Sequence, residues 1–288
     1  MSKFKKAILI LVAILLVLGG YFLIAVTMFS PPKTTFFSPN QLNYALKKLS
    51  DTTDCYHAEQ QTEVPNQSEF QLLVWNIHKG QDAGWQDALH TFSHNADLLL
   101  LQEISSQQHL EALLEKHFPY FVYATSFAYH NTFSGVGTLA KFAPQTYCAS
   151  ATKEPWIQLP KVGVATTYPL ANGKSLLVVN LHLVNFEWNP TNYQQQLAEA
   201  FNLITAHQGP IILAGDFNTW NDQRLRLVEE LASKHHFSSV SFSPDVRLHF
   251  MNNPLDHIFV KGLSVLDATT LETQSSDHNP LLIKLKLE

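Results

Sequence analysis

Charge is scarce in this sequence, with Asp, Glu, Lys and Arg making up 15% of its 288 residues. Basic charge is scarcer still. Three of the 19 bases, Lys3, Lys5 and Lys6, stand at the start, which leaves 16 bases against 24 acids, a net of −8, over the rest. That balance lacks the basic footprint of a tight, sequence-specific DNA-binding protein. It still allows an enzyme that handles a polyanion through a metal. Cysteine occurs twice, at Cys55 and Cys148, in no CxxC or Cys/His cluster, so the spacing of a zinc site is missing. The two can pair in an oxidising compartment or stay as buried thiols. No GxSxG motif, P-loop, internal repeat or low-complexity tract is present, and Cys148 has no histidine near it in sequence. A serine or cysteine nucleophile with its base is therefore not evident.

Long apolar runs are missing too, with one exception. Ala7 to Phe29 carries no charge over 23 residues and follows the three lysines. As a helix it would span roughly 34 Å, enough for the ~30 Å hydrocarbon core of a bilayer. Secretory signals have shorter apolar regions that end in small residues of the Ala-x-Ala kind. This block ends "AVTMFSPP" and reads as an uncleaved anchor, with a cleaved signal as the alternative. The leading lysines predict a cytoplasmic N-terminus, a single pass through the inner membrane and an extracytoplasmic remainder.

Residues 30–68 hold Pro31, Pro32, Pro39 and Pro65 and read as a linker. One stretch within it, Gln41–Leu49, has Leu42, Ala45, Leu46 and Leu49 at helical spacing. From residue 69 onward, strand-length apolar runs recur at Phe70–Ile77, Asp97–Leu101, Tyr120–Thr125, Gly135–Phe142, Val162–Tyr168, Ser175–Leu183, Pro210–Ala214, Ser238–Phe242, Leu255–Val260, Val265–Thr270 and Leu281–Leu287. Helical patterns fall at Gln86–Ser93, Gln107–His117, Asn192–His207 and Asp222–His235, the last three behind the cap-type residues Ser106, Thr191 and Asn221. The three parts are then an anchor (1–29), a linker (30–68) and one α/β domain (69–288). Strands follow strands in places and helices in others, which predicts two packed sheets with helices outside rather than a doubly wound sheet.

Polar residues that suit a strand poorly sit at strand ends again and again: Asn76 in "VWNIHKG", Glu103 after "LLLLQE", Asn180, His182 and Asn185 in "VVNLHLVN", Asp216 and Asn218 in "AGDFN", Asp256 and His257 in "LDHIF", and Asp277 and His278 in "SSDHNPL". One such residue is usually a turn former or a satisfied core group. A series of them suggests strand ends converging on a site. Glu103 and Asp277 offer hard carboxylate oxygens and Asn76 an amide oxygen, a donor set that suits Mg²⁺ or Mn²⁺ with water and a substrate phosphate completing the shell. Histidine can position or protonate phosphate oxygens, and Asn218 can donate to a phosphate without adding charge. This inventory predicts metal-assisted attack of water on a phosphate ester.

The ordered set, with "SGVGTLAKF" between the second and third motifs, resembles the endonuclease/exonuclease/phosphatase superfamily of DNase I-like fold, in a bacterial, membrane-anchored branch. The resemblance covers about residues 70 to 286 and implies a four-layer α/β sandwich whose site lies where two mixed sheets open. It makes Glu103 the principal metal ligand beside Asn76, and His182 the contact to the scissile phosphate. Asp216 and Asn218 match the Gly-Asp-x-Asn motif, Asp256 an acid that orients a catalytic histidine, and Asp277 and His278 the closing pair. Asn185 is a softer match for phosphate contact, and Asn180 and His257 stand beside the motif as structural residues. Either Asp216 or His278 would activate water.

The expected activity is a Mg²⁺-dependent phosphodiesterase of nuclease type. A phospholipid-directed phosphodiesterase or phosphatase at the membrane is the alternative, and a tethered binding module the non-enzymatic one. The expected partners are a nucleic acid or a phospholipid headgroup and the membrane, with no obligate protein partner. Phe186, Trp188 and Tyr193 in "NFEWNPTNY" read first as ordinary loop packing, and otherwise could stack on bases or touch lipid.

Overall fold

Strands that are apolar on both faces must be covered on both faces. The computed structural model describes residues 3–39, 41–49, 53–63, 65 and 67–288 and meets this demand with four layers. In chain order come α1 (Lys3–Ala25), β1 (Val26–Phe37), β2 (Tyr44–Lys48), β3 (Thr53–Ala58), β4 (Glu69–Asn76), α2 (Trp85–Ser93), β5 (Leu98–Ser105), α3 (Leu110–Leu114), β6 (Tyr120–Tyr129), β7 (Thr132–Ala140), β8 (Thr146–Lys153), β9 (Pro160–Pro169) and β10 (Ser175–His182). Then follow α4 (Thr191–Ala206), β11 (Ile211–Asp216), α5 (Asp222–Lys234), the two-residue strands β12 (Ser238–Ser239), β13 (His249–Phe250) and β14 (Asn253–Pro254), and β15 (Asp256–Lys261), β16 (Leu263–Thr270) and β17 (Leu281–Leu287).

One mixed sheet has the order β1-β6-β7-β5-β4-β17-β16 and the other β12-β15-β11-β10-β9-β8-β3-β2. Side chains alternate across each strand and set the layers. Leu72 and Val74 of β4 join Leu98 and Leu100 of β5 against Val178, Ile212 and Ile258 of the second sheet. Leu73 and Trp75 point the other way and pack with Leu89, Leu110 and Leu114 from the α2 and α3 side. Leu177, Val179 and Leu213 pack against Leu197, Phe201 and Val228 of α4 and α5. This is the pair of packed sheets with helices outside that the strand and helix pattern predicts, and the four-layer α/β sandwich that the family resemblance implies.

Several local readings differ. Residues 30–68 are not a plain linker, because β1 extends the first sheet and β2 and β3 extend the second. Proline lacks the N–H that a central strand needs but is tolerated on an edge. β1 is an edge strand, and its pairing with β6 slips between Met28 and Lys33, where the prolines fall. Gln41–Leu49 forms no helix. β2 is an exposed edge strand, and Leu42, Ala45, Leu46 and Leu49 in and beside it satisfy a helical spacing without a core to face. β8 runs through a polar stretch and carries no strand signal. Its Cys148 lies opposite Cys55 of β3, and the two form a disulfide.

The second helix is split into a 3-10 turn, Ser106–Gln108, and α3. Ser105 rather than Ser106 caps that turn, in a reciprocal box with Gln108. Pro190 precedes α4 in place of a side-chain cap at Thr191, whereas Asn221 does cap α5. Of Ser238–Phe242, two residues are strand. The apolar helix ends at Ala25, not at Phe29, because the chain enters β1 at once.

Candidate active site

Register brings the polar strand ends together. In the second sheet His182 of β10 lies opposite Asp216 of β11, which lies opposite Asp256 of β15. In the first sheet Asn76 ends β4 opposite Gln102 of β5. The β5–β7 pairing then slips between Leu101 and Ile104, a bulge that aims Glu103 out of the ladder. Gly215 precedes Asp216 at φ 133°, and a Cβ there would fall 2.0 Å from the Leu181 carbonyl oxygen, so only glycine lets β11 lie this close to β10.

Asp216 is the hub. Its Oδ2 accepts from Asn76 Nδ2 at 3.0 Å, and its Oδ1 from the Asn218 backbone N–H at 3.0 Å. Its Oδ2 also lies 3.4 Å from His182 Nε2 and 3.9 Å from His278 Nε2. The other ring nitrogen of His278, Nδ1, donates to Asp256 Oδ2 at 2.7 Å. All five of these side chains are buried. The His278 ring is aimed by its own backbone, since Trp75 Nε1 donates to its carbonyl at 2.8 Å and its N–H donates to Ser276 Oγ. Ser276 Oγ in turn donates to the Asn76 carbonyl, tying the closing segment to the end of β4.

The charges are sharply graded. Burial disfavours a charged His278 ring, but the Asp256 carboxylate, with Asp216 and Asp277, reverses that and raises it to about 10. The ring is therefore an imidazolium at neutral pH. His182 moves the other way, lowered to about 4 by burial and by Lys161, and is neutral. Lys161 Nζ lies 2.7 Å from His182 Nε2, and an ammonium can only donate, so Nε2 accepts and Nδ1 carries the proton. Burial pushes the Glu103 carboxyl up, but His182, Lys161 and Lys79 outweigh it and hold the group well below the usual carboxylate range. Lys79 is ion-paired to Glu103. A cavity of 260 Å³ opens over Lys79, Glu103, Lys161 and His182. His78, Lys79, Glu103 and Asn218 all sit at φ between 44° and 56°, so strained backbone gathers at this one place.

The other expected residues lie close by in different settings. Asp277 is exposed, with Oδ1 3.9 Å from His78 Nδ1, outside the buried Asp216–Asp256–His278 group. Asn218 donates through Nδ2 to the Leu183 carbonyl. Asn185 and Asn218 line a neighbouring cavity of 310 Å³ rather than the one over Glu103. Arg224, fully buried, donates to the carbonyls of Val184, Asn185, Glu187 and Asn218 and so fixes both loops that carry these asparagines. Asn180 bridges the sheets, accepting from Gln102 and donating to the Gly137 carbonyl. Tyr193 cannot stack on a substrate, because it is buried in α4 and donates to the Phe217 carbonyl. Lys79, Lys161 and His78 are the site residues that sequence reasoning misses. His78 and Lys79 stand inside "VWNIHKG", but Lys161 carries no sequence signal.

Do these donors fit a divalent cation? In the Asp216–Asp256–His278 group the ligand atoms lie within 4.8 Å of one another. However, His278 Nδ1 already donates to Asp256, and Nε2, 3.9 Å from Asp216, is the ring's remaining donor, which makes the trio a proton-holding chain. Glu103 fits better. It is a hard carboxylate facing the cavity, already drawing a cation in Lys79, with Asn76 and Asp277 on the adjoining segments.

His257 is buried and hydrogen-bonds Thr219 Oγ1 at 2.8 Å. Burial, with Arg247 nearby, lowers it to about 3. An unfolded histidine takes up its proton near pH 6.5, so the unfolded chain binds more protons between those values. Stability should fall as pH drops from 6.5 towards 3. Urea midpoints measured at pH 7 and 4.5 will show it, and His257→Gln should flatten that loss; an unchanged slope would remove His257 from the account.

The family model of the Endonuclease/Exonuclease/phosphatase family matches residues 73–278. A UPF0294 protein of Vibrio vulnificus is 38% identical over 286 residues, covering 98% of each chain. Among solved structures, an endonuclease/exonuclease/phosphatase from Beutenbergia cavernae superposes with a TM-score of 0.60 at 14% identity, over 77% of this chain and 72% of that one. The human Nocturnin catalytic domain with bound sulfate anion gives 0.56 at 17% identity, over 80% and 97%.

Proposed function

We propose, from the premise that the chain belongs to the Endonuclease/Exonuclease/phosphatase family, that it is a Mg²⁺- or Mn²⁺-dependent phosphodiesterase. The observation that carries the reading is the buried chain Asp256–His278–Asp216–Asn76 beside Glu103 and His182. A phosphoester hydrolase is what the family supports, and the diester and the metal are our reading. Glu103, with Asn76 and Asp277, would hold the cation. When bound, it polarises a phosphoryl oxygen and stabilises the leaving oxygen.

The chain's own residues then divide the proton work. Asp216 is fixed by two N–H donors and stands as the base that takes a proton from water. His278 holds its proton and presents Nε2–H to the phosphate or the leaving group. Neutral His182, backed by Lys161, positions the phosphate, and Asn218 serves through its backbone N–H, which fixes Asp216.

The nuclease-type substrate expected from the sequence uses the same chemistry. Its support is the exposed rings of Phe186 and Trp188 beside the site. Against it stand the net acidic charge and the engagement of Lys79 and Lys161 by Glu103 and His182.

The full chain in detergent should hydrolyse bis(p-nitrophenyl) phosphate with Mg²⁺ or Mn²⁺ and stop in EDTA. Glu103→Ala should lose at least about tenfold. Activity that survives EDTA, or is unchanged in Glu103→Ala, refutes the proposal.

A further inference from the structure

Exposed aromatic residues on this protein are not scattered. Trp156, Phe186, Trp188 and Phe250, with Ile157 and Met251, are between 41% and 83% exposed. They lie on the β8–β9 segment, the β10–α4 segment and the β13–β14 hairpin. Each of these segments leaves or enters the sheets at the end that carries Glu103, His182, Asp216 and Asp256. Trp156, Trp188, Trp220 and Phe250 form a ladder of rings, with successive centroids 5.6, 6.2 and 6.4 Å apart. The ladder walls the 310 Å³ cavity that Asn185 and Asn218 also line. A soluble protein rarely exposes such a patch without a partner.

The apolar helix α1 reaches the same end. β7 starts beside the end of β5, with Ser134 opposite Ser105, so the β6–β7 turn lies at the site end of the first sheet. β1 begins there as well, with Val26 opposite Tyr129, and α1 ends one residue earlier. The joint is fastened. The His130 N–H donates to the Ala25 carbonyl at 3.0 Å, and Tyr21 Oη lies 2.8 Å from Tyr129 Oη and 2.9 Å from His130 Nε2. No linker separates helix from sheet, so the domain cannot swing freely about it. Just inside the turn, Ser126, Phe127 and Ser134 line the cavity over Glu103, together with Ile157 and Phe186 of the aromatic rim. One surface thus runs from the last turn of the helix, past the catalytic cavity, to the far ring of the ladder.

We infer that the mouth of the site faces the bilayer in which α1 is embedded, that the aromatic rim rests among the headgroups, and that the phosphodiester is that of a membrane phospholipid. This rests on the phosphodiesterase reading and names its substrate class. Tryptophan, apolar with one polar N–H, is the residue that favours the headgroup level. The acidic balance of the domain suits a substrate delivered by the membrane better than a free polyanion gathered by charge.

The test uses the full chain reconstituted in phosphatidylcholine–phosphatidylglycerol vesicles that contain phosphatidylcholine brominated near the headgroup. The helix holds no tryptophan, so quenching reports on the domain. Brominated lipid should quench the emission, and Trp156→Phe with Trp188→Phe should lose most of the quenchable part. Hydrolysis of the vesicle phospholipid should fall by about tenfold or more in Trp156→Ser/Trp188→Ser, further than hydrolysis of bis(p-nitrophenyl) phosphate does. Absence of quenching overturns the orientation. Quenching with cleavage of DNA or RNA but not of phospholipid overturns the substrate. A soluble diester hydrolysed only when Glu103 is present, without lipid hydrolysis or quenching, overturns the inference and leaves the phosphodiesterase reading standing. Failure on every diester removes that reading and the lipid substrate with it.

Discussion

His278→Ala will lower kcat on bis(p-nitrophenyl) phosphate by about 10²- to 10⁴-fold, the range over which a positioned acid or base contributes. The size follows from the geometry. The ring stands between Asp256, at 2.7 Å from Nδ1, and Asp216, at 3.9 Å from Nε2, and no other described side chain spans that gap. Alanine removes the proton held there and leaves two buried carboxylates facing each other without a cation between them. The pH profile separates a chemical role from a packing role. In the wild type the rate should hold through neutrality and fall as pH rises through about 10, where His278 loses its proton. The sign for stability is the same. A raised histidine stabilises fully below its unfolded value near 6.5, and the contribution is lost as pH rises through the folded value. Asp256→Asn keeps the ring and its shape but removes the carboxylate that raises it, so the alkaline fall should move to lower pH. Rate–pH curves for wild type, Asp256→Asn and His278→Ala decide the matter, with circular dichroism to show that each variant is folded. A His278→Ala enzyme within tenfold of wild type, or an Asp256→Asn curve that superposes on the wild-type one, would overturn the role.

What the sequence revealed and hid has a physical pattern. Asn76, Glu103, His182, Asp216 and Asp256 were legible because each interrupts or ends an apolar strand, where a polar side chain needs a reason to be. Their convergence was legible as well, since parallel neighbours such as β4 with β5 and β10 with β11 carry their C-terminal ends to one edge. Lys161 was hidden because a lone lysine at the start of β9 looks like any solvated charge. Only tertiary packing sets it against His182. β1 to β3 were hidden for a different reason. Prolines, exposed residues and short runs describe edge strands and linkers alike, and pairing with β6 and β8 is what makes the difference. Tyr193 and Trp188 could not be told apart in sequence because a helix start inside an aromatic segment can bury one ring and expose the others: Tyr193 is covered by α5's Arg224, as ordinary packing predicts, while Trp188 stays open.

Ending the chain before Ser275 will abolish folding as well as activity. β17 is no frayed end, because it lies between β4 and β16 and pairs with both. It places Leu281, Ile283 and Leu285 in the core between the sheets, each 3% exposed or less. Losing a buried leucine or isoleucine side chain costs about 2–5 kcal/mol, so the three together cost about 6–15 kcal/mol. A domain of this kind holds about 5–15 kcal/mol in total. The cut also strips β4 of a partner along its length, exposing a row of unpaired backbone groups in the middle of a sheet. The truncated chain should therefore be insoluble, or soluble without a cooperative thermal transition. Leu285→Ala isolates the packing contribution. Leu285 pairs with Phe70, at the end of β17 away from His278, so this variant should melt lower by the cost of one side chain yet keep its kcat at temperatures where it is folded. A truncated chain that melts cooperatively would show that the sheet closes without β17. If Leu285→Ala lost activity while still folded, the strand would be setting the position of His278 rather than holding the core.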